Sequence, residues 1–71
     1  MTKDEAIVAA RSAIDARFPG AATDHLFDAF LRDGVWAVFV PSKTPWIKGG
    51  GTPQAEVQDS DGRVFRVSLS R

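Results

Sequence analysis

Apolar and polar positions alternate along this chain in three distinguishable ways. From Thr2 to Phe18 the apolar residues Ile7, Ala10, Ile14 and Phe18 recur every three or four positions, which sets them on one stripe of a helix. Thr2 followed by Glu5 has the spacing of a capping box, in which each side chain takes the other residue's amide. Asp4 and Glu5 suit the positive end of the helix dipole. Arg11 and Asp15, one turn apart, are expected to pair on the exposed side. Pro19-Gly20 ends the helix, because the residue before a proline resists α geometry and glycine tolerates a left-handed turn.

The second pattern lies in Gly34–Val40, where both alternating sets are apolar: Val35, Ala37 and Phe39 on one side, Trp36, Val38 and Val40 on the other. A strand of this kind expects cover on both faces. Asp33-Gly34 before it is the dipeptide favoured in a two-residue hairpin turn. With Leu26–Arg32 as the partner strand, Leu31 faces Trp36, Ala29 faces Val38 and Phe27 faces Val40, and the apolar residues fall on one face. Leu26, Phe27, Phe30 and Leu31 also have helical spacing, with Thr23 or Asp24 as a cap. The register favours the strand, and the helix stays the alternative.

The third pattern begins after Pro41–Pro53, a long connection with three prolines and the triplet Gly49-Gly50-Gly51. A three-residue loop, Ser60-Asp61-Gly62, predicts a hairpin pairing Asp59 with Arg63, Val57 with Phe65 and Ala55 with Val67. Its apolar face is Ala55, Val57, Phe65, Val67 and Leu69. The expected fold is α+β. An N-terminal amphipathic helix packs on an antiparallel sheet of three to four strands, two hairpins joined by the Pro/Gly loop, in one domain spanning residues 1–71. Strand order across the loop stays open.

This order of elements resembles two groups. The residues that carry the likeness are Asp4-Glu5-Ala6 at the helix start, Gly34-x-Trp36-x-Val38, the loop Gly50-Gly51-Thr52-Pro53, and Ala55-x-Val57-x-Asp59-x-Asp61-Gly62-x-Val64. They are similar to small bacterial PepSY-type domains and to immunity proteins of the nuclear transport factor 2-like fold. The resemblance implies a protein-binding or inhibitory role without catalysis. One departure is that PepSY domains usually accompany secreted or membrane proteins, and no export signal is evident here.

Composition narrows the classes. Nine basic residues balance nine acidic ones, with four against six in the first 35 positions and five against three in the rest. Nucleic-acid binding would want a clear excess of Lys and Arg, so it is not expected. No stretch approaches the roughly 20 apolar residues of a membrane span. The absence of cysteine rules out disulfides and thiolate metal sites within these residues and fits a cytoplasmic setting. At 71 residues, the core has to be small.

Candidate chemistry is sparse, and neither a cofactor nor a metal is expected. His25 is the only histidine, with Asp24 and Asp28 near it in sequence, too few groups for a closed zinc site; a solvated loop or strand-end histidine is the plainer reading. Asp59, Asp61 and Gly62 lead straight into a strand pattern without the closing Glu of a calcium loop, so they are read as turn formers. Lys48 and the glycine triplet are followed by another strand pattern and lack the helix N-terminus a phosphate loop needs. An enzyme is therefore not expected.

A binding role is. One helix covers one sheet face, and the second face of the first hairpin then calls for a cover: the long loop, a second copy of the chain, or another protein. Trp46, Ile47 and Lys48 in the loop, together with Trp36 and Phe39 on the two-faced strand, are the expected partner-binding residues. Trp46 reads either as an exposed anchor or as a lid over the core. The competing class is a small-molecule binder, with an apolar pocket between helix and sheet floored by Phe18, Phe30 and Phe39.

Overall fold

Helix α1 spans Lys3–Arg17 and starts as the sequence predicts. Glu5 N–H donates to Thr2 Oγ1 at 3.2 Å, and Thr2 N–H donates to Glu5 Oε1 at 2.8 Å. In this computed structural model the described residues are 1–23, 25–41 and 52–70. The helix's fully buried stripe is Ala6, Ala10 and Ile14. Ile7 and Phe18, expected on the stripe, flank it half-buried. Two alanines let the helix backbone come close to the sheet, and a larger side chain at either position would hold it off.

The helix stops at Phe18, whose N–H reaches Ile14 O at 2.7 Å, and Gly20 turns the chain with φ +87°. Asp15 accepts the Gly20 N–H at 2.9 Å instead of pairing with Arg11. Arg11 donates to the His25 carbonyl at 3.3 Å and stands 5.4 Å from the centroid of the Phe27 ring. Each side chain has found a better use than a solvent-exposed i,i+4 pair. Asp15 accepts the Gly20 amide in the turn just past the helix, and Arg11 rests on an aromatic face in a partly desolvated site.

Four strands follow: β1 (Asp28–Arg32), β2 (Val35–Phe39), β3 (Thr52–Gln58) and β4 (Val64–Ser70), joined antiparallel in the order β1-β2-β3-β4. Leu26–Arg32 is therefore no helix; its last five residues are a strand. Asp33 and Gly34 both take positive φ, 52° and 79°, the backbone of a type I′ turn. The register of the first hairpin is the one that turn predicts, with Leu31 opposite Trp36, Phe30 opposite Ala37 and Ala29 opposite Val38. The long connection brings β3 alongside β2, so the sheet is a simple meander.

The last hairpin differs near its turn. Gln58 N–H donates to Arg63 O and Gly62 N–H to Gln58 O, both at 2.8 Å, which closes a four-residue turn over 59–62. Asp59 does not pair with Arg63, because its N–H already donates to Gly34 O at 3.0 Å, in the neighbouring hairpin turn. Val57 therefore pairs with Val64, and an irregularity at Glu56/Val57 restores the expected Ala55–Val67 pairing. The inward position expected for Phe65 goes to Val64, and Phe65 is left 47% exposed. A bulge of one residue re-aims the side chains beside it, as the period of two requires.

The core lies between α1 and one face of the sheet. Ala6, Ala10, Ile14 and Ala22 meet Ala29, Val38, Ala55 and Val57, with Phe27, Trp36, Val64 and Val67 around them. Five of these eight buried residues are alanine, so Ile14, Val38 and Val57 carry most of the buried apolar volume. Pro53 is also buried in β3, beyond the last β2–β3 pairing at Ala55, where its missing N–H costs the β2 ladder nothing.

Candidate functional site

With Ala29, Val38, Ala55 and Val57 turned to the helix, the alternate residues of each strand form the opposite face. One row crosses all four strands, Phe30–Ala37–Glu56–Arg66, through the Cα pairings of each neighbouring pair. Beside it lie Phe39, paired with Asp28, and Gln54, paired with Ser68. Phe30 and Phe39 meet edge to face, their centroids 5.9 Å apart at 62°, and Phe30 stays 49% exposed. Ala37 is the low point of the row. Its methyl group leaves a hollow of about 480 Å³, with the two rings on one wall and Gln54, Glu56, Arg66 and Ser68 on the other.

The polar wall is loosely held together. Arg66 Nη1 lies 3.9 Å from Glu56 Oε1, and Gln54 Nε2 lies 3.4 Å from Ser68 Oγ. At the apolar end Asp28 is committed elsewhere: Lys3 Nζ stands 3.0 Å from its Oδ1, and the Ala29 N–H donates to the same oxygen at 2.8 Å. The Lys3 hydrogen bond, then that amide, holds the Asp28 carboxyl below its ordinary range.

Of the partner residues expected from sequence, the two that are described, Trp36 and Phe39, lie on opposite faces of β2. Phe39 lies on the open face. Trp36 lies on the helix side, half-buried against the core, and its indole N–H donates to Asp59 Oδ1 at 2.8 Å. That oxygen also accepts from the N-terminal ammonium at 3.1 Å. The indole bond first, and the ammonium second, lower the Asp59 carboxyl from its ordinary value. Trp36 thus ties β2 to the 59–62 turn. Trp46, Ile47 and Lys48 lie outside the described residues.

The expected pocket between helix and sheet has the wrong floor, because Phe30 and Phe39 are on the face away from the helix. Glu56 and Arg66, which join Phe30 and Ala37 across the sheet, carry no signal as site residues in the sequence taken strand by strand. The signal for Phe30 and Ala37 is the second alternating set of the first hairpin.

The remaining candidates have structural explanations. His25 is half-buried, and its Nδ1 lies 3.0 Å from the Ala21 carbonyl; since a carbonyl only accepts, this nitrogen carries the proton. Asp61 accepts the Arg63 N–H at 3.0 Å, a turn-forming contact. The segment after the glycine triplet is strand β3, not a helix. Among the described residues, no group of three or more His, Asp or Glu side chains is placed to hold a metal, and no helix is long and apolar enough to cross a membrane. Comparison with protein-family models, with curated proteins and with solved structures finds no match to the chain.

Proposed function

We propose that the chain is a non-catalytic protein-binding module whose contact surface is the open face of the sheet, centred on Phe30, Ala37 and Phe39. One observation carries this reading. Among the described residues the one helix is spent on one sheet face, while the other retains a joined pair of phenylalanines beside a hollow. Aromatic residues flanking a concavity are the kind of feature on which binding energy concentrates. An interaction or inhibitory role of the immunity type accords with such a surface.

Selection from a displayed peptide library tests the reading, with wild-type protein as target. Enriched peptides should lose most of their affinity for a Phe30→Ser variant that keeps the wild-type circular dichroism. Peptides indifferent to Phe30 and Phe39 would move the binding surface elsewhere. A second reading, a small-molecule binder, draws support from the hollow's volume of about 480 Å³, which lies within the range of ligand pockets. Thermal shift against a library of small aromatic acids and amides separates it: a shift abolished by Ala37→Leu would favour the small molecule.

A further inference from the structure

The two walls of the open-face hollow differ in chemistry, and that difference specifies what part of a partner fits. From this geometry we infer that the face receives a protein segment presenting a bulky apolar side chain next to a carboxylate. The apolar group occupies the space over Ala37 against Phe30 and Phe39, and the carboxylate meets Arg66. This inference rests on the binding-face reading above and adds the partner's chemistry to it.

The hydrogen-bonding inventory of the polar wall supports the sign. Arg66 offers five N–H donors in a fork that matches a carboxylate, and its side chain is 68% exposed. Its nearest carboxylate among the described residues, Glu56, stands at 3.9 Å, beyond hydrogen-bond reach. Gln54 and Ser68 hold each other at 3.4 Å, a long contact that spends little of either. The wall therefore presents unspent donors, and its one acceptor charge is Glu56. Asp28, the other acid bordering the rings, is engaged by Lys3 and by the Ala29 amide. A ligand cation would face only Glu56 and would compete with Arg66 for it. A ligand anion gains Arg66, and Glu56 then weakens the attraction without supplying a contact.

Area argues against a second copy as the occupant of this face alone. Four strands about 4.8 Å apart, each about 17–23 Å long, make a face of roughly 300–450 Å² in projection. A stable dimer commonly buries about 800 Å² per partner. A segment that seats one side chain and one charge makes no such demand.

The test uses three blocked tetrapeptides, Gly-Phe-Asp-Gly, Gly-Phe-Asn-Gly and Gly-Phe-Lys-Gly, titrated into the ¹⁵N-labelled chain. Backbone amide shifts of Ala37, Phe39, Glu56 and Arg66 report where each binds. The expected order of affinity is Asp above Asn above Lys. The Asp peptide should lead the Asn peptide by about two- to fivefold, the range of a solvent-exposed ion pair, and the lead should shrink with added salt. Arg66→Gln should erase that lead, and Glu56→Gln should raise affinity for the Asp peptide. Both side chains are substantially exposed, so both variants are expected to fold, which circular dichroism verifies. Equal affinities, or a Lys peptide that binds best, with the shifts still on this face, would overturn the inferred charge while leaving the binding face standing. No shifts on this face with any of the three peptides would overturn both.

Discussion

Leucine in place of alanine at Ala10 and at Ala37 is one chemical change made on opposite sides of the sheet. Ala10 is fully buried between the helix backbone and the sheet. Three added carbons there must push the helix off Val38 and Val57 or force strained rotamers, at a cost of about 1–3 kcal/mol. Helix propensity does not offset this, since leucine and alanine differ by only a few tenths of a kcal/mol or so. For a domain of this size about 1 kcal/mol moves the melting temperature by roughly 4–8 °C, so Ala10→Leu should lower it by roughly 4–24 °C. Ala37 floors a hollow of about 480 Å³ between two phenylalanines and a polar wall. A leucine there has room, lies against Phe30 and Phe39, and replaces a weak strand former. Its effect should stay within about 0.5 kcal/mol of zero. Thermal and urea unfolding followed by circular dichroism measure both variants. Equal destabilisation at the two positions would refute the face assignment, because it would mean that Ala37 is packed as tightly as Ala10.

Other consequences follow from the same contacts. Asp59 has a folded carboxyl pKa below its unfolded value, so its contribution to stability is present above about pH 4 to 5 and is lost as pH falls through the folded value. The melting-temperature gap between wild type and Asp59→Asn should therefore be widest near neutrality and narrow in acid; a gap independent of pH would discount the Trp36–Asp59 bond. Gly34 has open space around it, so Gly34→Ala meets no clash, yet its φ of +79° should cost about 1–2 kcal/mol, read as a lower urea midpoint. Ile14→Ala truncates the largest fully buried side chain among the described residues, at about 2–5 kcal/mol. Against a total stability of about 4–11 kcal/mol for a chain this long, that should leave a visible unfolded fraction in mild urea.

How far the sequence reached depended on whether the deciding interaction was local. Thr2 and Glu5 are three residues apart, and Asp33-Gly34 sets its own hairpin register, so the cap and the first hairpin could be read directly. The last hairpin departs from its expected pairing beside its turn because Asp59 is claimed from another hairpin, by Gly34 O and the Trp36 indole. No spacing between Asp59 and Gly62 carries that information. The helix stripe shifted toward Ala6 for a similar reason: closeness to the sheet, and not side-chain size, decided which residues were buried.

The candidate site was legible as a question. Both faces of Gly34–Val40 demanded cover, and the structure assigns the helix to the Trp36–Val38 side. The outward set Phe30, Ala37 and Phe39 was in view, but its polar wall was not, since Glu56 and Arg66 reach it only through the pairing of β3 with β2 and β4. Trp36 is expected to bind a partner because it lies on the two-faced strand. In the fold its indole N–H donates to Asp59, a contact 23 residues away that no local pattern announces.

The central claim is that the Phe30 face is open to a partner, and thiol accessibility tests it most directly. The sequence has no cysteine, so Phe30→Cys and Val38→Cys each introduce a single thiol, one on the open face and one in the core. The rate of reaction with a colorimetric disulfide reagent under native conditions is the measurement. The Phe30→Cys thiol should react nearly as fast as a thiol in an unstructured peptide, while the Val38→Cys thiol should wait for unfolding. Equal, slow reaction at both positions would show that the Phe30 face is already covered and would contradict the account.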